Sequence, residues 1–156
     1  MIIMPPPFGN EFGPVNYLPV TVDFSNATWN TVAVHEVFTV TGLVRVIIIP
    51  QCTENMAGAN NMKFGSAANI AAAPWVATTL KVDIDAGDIW LSATPAAGYE
   101  YDGGAGASII DAILSTNDVG YEVETGAATD GTIIFHCWWT ALVPGSTVVA
   151  GAGGVL

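Results

Sequence analysis

Two β-branched runs meet at a single glycine. TVAVHEVFTVTG (31–42) is followed at once by LVRVIIIPQCTE (43–54). Val, Ile and Thr are stiff at χ1 and fit a pleated surface better than a helix. The first run alternates with a period of two, as a strand does. The second is apolar on both faces, which predicts a strand buried on both sides. The Thr41-Gly42 junction between them predicts a tight hairpin.

The same grammar continues along the chain. VTVDF (20–24), NMKFGSA (61–67), VATTLKVDI (76–84), DIWLSATP (88–95), VGYEVET (119–125) and GTIIFHCWWTAL (131–142) read as strands, and the tail adds a short β segment. The turn Asp85-Ala86-Gly87 predicts a link between the strands at 76–84 and 88–95. ANIAAAP (68–74) allows at most one helical turn before Pro74. SIIDAILS (108–115) fits a short helix with a capping box at Ser108 and Asp111, and also fits a two-faced strand. The strand is preferred, because STND follows as a turn and VGYEVET as its partner. About eight or nine short strands at roughly 8–12-residue spacing, with almost no helix, predict an all-β chain. The expected architecture is a single β-sandwich or jelly-roll-like domain over 20–150.

Residues 1–19 predict an extended, Pro-rich N-terminal arm. Pro5, Pro6, Pro7, Pro14 and Pro19 disfavour both helix and central strand. Phe8, Phe12, Tyr17 and Leu18 are interleaved among them, and a solvated linker needs no such side chains. The arm either straps its own domain or docks on a neighbouring subunit. Residues 151–156 read as a flexible Gly-rich tail.

Charge narrows the partners. The chain has 156 residues, a length that suits one domain. Fourteen carboxylates stand against Arg45, Lys63 and Lys81, for a net charge of −11. Nucleic-acid binding depends on neutralising phosphates, so no nucleic acid is expected, and no anionic membrane surface. No apolar run reaches the length of a membrane helix, and the first residues do not read as a secretory signal. Synthesis in a cytoplasm is the expectation. Charged residues make up 11% of the chain and apolar ones 51%. A charged share so far below the roughly 25% of ordinary soluble domains suits a chain that buries surface in an assembly.

Chemistry-bearing residues are sparse. Cys52 and Cys137 are the two cysteines. A cytoplasmic origin favours buried thiols over a disulfide between them. His136 and Cys137 are adjacent, so in a strand they point to opposite faces and form no dyad. A zinc site needs three or four ligands, and two Cys with two His offer no ligand spacing. Asp83, Asp85 and Asp88 cluster in DIDAGD, yet without an EF-hand pattern, and read as a polar turn. GGAGAS (103–108) lacks the Lys-Ser/Thr ending of a phosphate loop. The chain is therefore expected not to be an enzyme, with no cofactor and no metal.

Trp29, Trp75, Trp90, Trp138 and Trp139 lie on several segments, and most are expected in the core or an interface. The strand at 131–142 sharpens this. Ile133, Phe135, Cys137 and Trp139 form one face, uniformly apolar, and are expected to be core. Thr132, Ile134, His136 and Trp138 form the other, mixed face. Phe8, Phe12, Tyr17, His136 and Trp138 are the candidate partner-contact residues.

The segments WNTVAVHEVFTVTGLVRVIIIPQCTEN (29–55), DIDAGDIWLSATP (83–95) and DGTIIFHCWWTAL (130–142) carry a resemblance. With their TVTGLVRV junction, Cys-Thr-Glu strand end and late Phe-His-Cys-x-Trp strand, they resemble small β-rich virion structural proteins of tailed bacteriophages. The likeness covers most of residues 28–142 and leaves out the arm and tail. It implies a capsid decoration or cement protein on the head surface, bound to the major capsid protein and assembled as a homotrimer. A receptor- or carbohydrate-binding β-sandwich of a phage spike, fibre or tail tip is the alternative.

Overall fold

The computed structural model describes residues 14–58, 61–97 and 109–152. Phe8, Phe12, the glycine loop at 98–108 and the last residues of the tail lie outside them. The described residues are almost entirely β, in two antiparallel sheets packed face to face like a sandwich.

In chain order the elements are β1 (Asn16–Asp23), a single helical turn α1 (Ala27–Asn30), β2 (Val34–Thr41), β3 (Leu43–Ala57), β4 (Asn61–Ser66) and β5 (Val76–Leu80). A 3-10 turn (Lys81–Asp83) follows. Then come β6 (Asp88–Ile89), β7 (Ala96–Ala97), β8 (Ile110–Ser115), β9 (Val119–Val123), β10 (Asp130–Ala141) and β11 (Thr147–Ala150). The first sheet has the order β1-β10-β3-β6-β7, with β8 also paired to β3. The second has the order β11-β2-β9-β4-β5.

Three expected hairpins are absent. β2 and β3 are consecutive but belong to different sheets, so Thr41-Gly42 is a corner and not a hairpin. Gly42 takes φ +73°, and a Cβ there would sit 2.4 Å from Ser146 Oγ. The corner is held by distant hydroxyls: Gly42 N donates to Thr116 Oγ1 and Leu43 N to Ser146 Oγ. The strands around Asp85-Ala86-Gly87 likewise divide between sheets, since β5 lies in the second and β6 in the first. The strand expected over 88–95 shrinks to two residues, Asp88–Ile89. β8 is a strand, as preferred over the helix, but it pairs with β3 and not with β9. At all three junctions the chain crosses the sandwich and does not reverse within a sheet.

β1 begins at Asn16 and not at Val20, so the last residues assigned to the arm are sheet. It sits at an edge, where Pro19 costs no ladder bond on the free side. β3 is central in its sheet but not buried on both sides. Val44, Val46, Ile48, Pro50 and Cys52 face the core, while Ile47 and Ile49 are half-buried on the other side. Pro50 is tolerated in this central strand for a local reason. Its carbonyl accepts Trp90 N at 2.9 Å, on the side where pairing passes from β8 to β6. In an antiparallel strand a residue's N and C=O point to the same side, so the missing donor faces that gap.

The core is aromatic at its centre. Phe64 of the second sheet stacks on Phe135 of the first, with ring centroids 5.0 Å apart. Tyr121 lies 6.1 Å from Phe135 and 5.2 Å from Phe24. Its hydroxyl donates to the carbonyl of Trp29 at 2.5 Å, which ties α1 onto the second sheet. Rings of this size each remove ~150–250 Å² from water and dominate the hydrophobic term.

Candidate functional site

β10 arranges its side chains as the alternation requires. Ile133, Phe135 and Cys137 are fully buried, and Trp139 packs partly buried against the core. Thr132, Ile134, His136 and Trp138 face outward and are half-buried by their strand neighbours. The register aligns them in rows across three or four strands. One row runs Tyr17, Trp138, Ile47, Asp111; the next runs Pro19, His136, Ile49; the next runs Thr21, Ile134, Gln51.

Three candidate contact residues meet on this face. Tyr17 lies over Trp138 with ring centroids 5.2 Å apart, and Tyr17 and Trp138 each stand 6.1 Å from the His136 ring. His136 Nε2 donates to Gln51 Oε1 at 3.0 Å, because an amide oxygen only accepts. Its Nδ1 then accepts from the Tyr17 hydroxyl at 2.7 Å. Both ring nitrogens are engaged, which fixes the plane of the imidazole and with it the outer aromatic cluster. Tyr17 is 53% exposed and Ile113, farther across the face on β8, is 66% exposed. Phe8 and Phe12 lie outside the described residues.

Between the Arg45 and Gln51 rows the charge on this face is balanced, while Asp23 and Glu54 flank Thr132 at its far end. Arg45 of β3 holds Asp111 of β8 through two bonds, Nε to Oδ1 at 2.9 Å and Nη2 to Oδ2 at 2.5 Å. The bidentate guanidinium keeps the Asp111 carboxyl below the usual carboxylate range. The outer face of the second sheet differs. There Lys63 of β4 sits between Glu122 and Glu124, 3.7 and 2.5 Å away, and Glu36 of β2 adds another carboxylate that accepts from Thr39.

The remaining candidates resolve into structural parts. Cys137 pairs in register with Ile48 and Cys52 with Ile133. Four strand residues therefore separate the thiols along the ladder, roughly 13 Å, too far for a disulfide. Both are free and buried, and burial pushes Cys52 up to about 11 and Cys137 up to about 12. A thiol that stays protonated at neutral pH is a poor nucleophile. His35 is buried against Tyr121, with Nε2 2.8 Å from the Thr31 carbonyl. In DIDAGD, Asp88 Oδ2 accepts from Asp85 N and Asn55 Oδ1 from Ala86 N, so these groups close a turn. Trp90 is core, with Nε1 donating to Thr79 Oγ1. Trp75 borders a shallow depression of about 200 Å³ with Ile109, Ile110, Asp111 and Ala112.

Lys81 is the residue that sequence reading missed. It is fully buried at the start of the 3-10 turn after β5, and Nζ donates to the Gly126 carbonyl at 3.3 Å. Burial alone lowers its pKa to about 8. The bond ties the β5–β6 crossing to the β9–β10 crossing. No local signal marks it, since a lone lysine in VATTLKVDI fits an outward strand position equally well.

Comparison with protein-family models, with curated proteins and with solved structures returns no match.

Proposed function

We propose that this chain is a structural protein of a tailed-bacteriophage virion, binding the outer surface of the head and stabilising contacts between capsomers. The observation that carries the reading is the outer face of the first sheet. It gathers Tyr17, His136 and Trp138 beside Ile47, Ile49 and Ile113, and between the Arg45 and Gln51 rows its one cation and one anion are bound to each other. Aromatic and aliphatic side chains with little net charge are what the centre of a protein interface uses. The rest of the chain is acidic, which suits a protein kept apart from packaged nucleic acid. The proline- and aromatic-rich N-terminal stretch, with Phe8 and Phe12, supplies a second contact, to the major capsid protein.

The test is the composition of purified particles. Quantitative mass spectrometry should find the chain at capsomer-scale copy number. A few copies per particle would move it to the tail or a fibre, and absence would reject the structural reading.

A further inference from the structure

We infer that the outer face of the first sheet takes a second copy of this chain, face to face about a two-fold axis lying parallel to the strands between β10 and β3. The inference names a partner for the proposed structural role and rests on that reading only for its setting.

Charge selects the occupant. At a net charge of −11 two copies repel over most of their surfaces. The three Lys and Arg side chains are engaged within their own copy: Arg45 by Asp111, Lys63 by Glu122 and Glu124, and Lys81 by the Gly126 carbonyl. No lysine or arginine is left to attract an acidic neighbour. Between the Arg45 and Gln51 rows, however, the face carries one cation and one anion in a bidentate pair, with otherwise uncharged side chains. Like copies can meet here without opposing carboxylates.

The rows are also complementary to themselves. The proposed axis exchanges β10 with β3 and β1 with β8 while keeping height along the strands. Trp138 then lies over Ile47 of the second copy, His136 over Ile49, and the Tyr17 hydroxyl over the Asp111 carboxylate. Aromatic stacks on aliphatic, and the polar Tyr17 hydroxyl meets a polar group. Four strands at ~4.8 Å spacing and about seven residues of length give on the order of 450 Å² of projected face per copy. Two such faces approach the roughly 1,000 Å² that a specific interface needs. The contact is therefore a weak dimer, where the family likeness implies a trimer.

Sedimentation velocity on the full chain across the micromolar range tests this. A monomer–dimer equilibrium is expected, strengthening with added salt as the residual acidic repulsion is screened. Ile113→Glu, at a position already solvated in the single copy, should weaken the dimer at least tenfold. Trp138→Glu should do so more strongly, while Glu122→Gln on the other sheet leaves it unchanged. Mixed oxidation of a Trp138→Cys chain with an Ile47→Cys chain should give a disulfide-linked heterodimer. A monomer at every concentration, a trimer, or a dimer that survives Ile113→Glu would overturn the inference. A chain that is monomeric yet abundant in virions sinks this inference and leaves the structural role standing. A dimer absent from virions does the reverse.

Discussion

The two outer faces of the sandwich are built on one core and carry opposite chemistry. The first sheet presents rings and aliphatic side chains around one exposed ion pair, Arg45–Asp111, whose side chains are 46% and 42% exposed. The second presents carboxylates around a half-hidden lysine: Lys63 is 14% exposed, Glu122 and Glu124 24%. It also brings glycines side by side, with Gly65 opposite Gly120. Between the Arg45 and Gln51 rows the first face is tolerant, because its side chains stand out from a regular ladder, the register shifts of β10 lying beyond them at Asp130–Ile133. The second is constrained at Gly120, where the His35 carbonyl leaves no room for a Cβ. A face free to vary its side chains is the better place for recognition.

Gly120→Ala should show the largest difference. A Cβ at Gly120 would lie 2.4 Å from the His35 carbonyl oxygen, so the β2–β9 ladder would have to move. A loss of roughly 2–4 kcal/mol is expected in urea unfolding. Ile113→Ala on the first sheet should change stability by no more than ~0.5 kcal/mol. Equal losses would erase the contrast between the faces.

Lys81 tests the charge that neither face displays. Its folded pKa of about 8 lies below its unfolded 10.5. Between these values the unfolded chain binds more protons, so stability rises with pH across that window. The full gain is on the order of 3 kcal/mol above pH 10.5. The buried thiols oppose it, since Cys52 and Cys137 have folded values raised above their unfolded 9.0 and lose stability as pH rises past that point. The difference between the native chain and Lys81→Met isolates the lysine. Thermal melts should show the native chain gaining on the variant from pH 8 to 10.5, and a constant difference would rule out the buried ammonium.

Removing one cation from each face sharpens the comparison further. Lys63→Met leaves Glu122 and Glu124 facing each other beside a buried Glu122 oxygen, and should cost about 1–2 kcal/mol. Arg45→Met breaks an exposed pair and should leave the unfolding midpoint unmoved. Tyr17→Phe should have a small effect, about 0.5 kcal/mol, by removing the hydroxyl bonded to His136. Its clearer readout is the imidazole's nuclear magnetic resonance signals, which should broaden as the ring loses one of its two anchors.

Much of the face is legible in residue order alone. The split of β10 into Ile133, Phe135 and Cys137 against His136 and Trp138 follows from alternation alone, and the structure keeps it. Tyr17 was set apart for its place among prolines, and it joins His136 through a bond that spans 119 residues. Its position on an edge strand was not legible, because Pro14 and Pro19 read as breakers. Pro19 stays in sheet because β1 has a neighbour on one side only.

Alternation is a local property. Covalent geometry sends successive side chains to opposite sides, so the strands and the sidedness of each could be read from residue order. The choice of sheet is not local. A one-glycine link such as Gly42 serves a hairpin or a corner equally well. The corner is selected by Thr116 and Ser146, whose hydroxyls arrive from 74 and 103 residues away. That selection, repeated at the β5–β6 and β8–β9 junctions, determines which outward residues become neighbours. Tyr17, Trp138, Ile47 and Asp111 form one row only because β1, β10, β3 and β8 were gathered into the same sheet by contacts far apart in the chain.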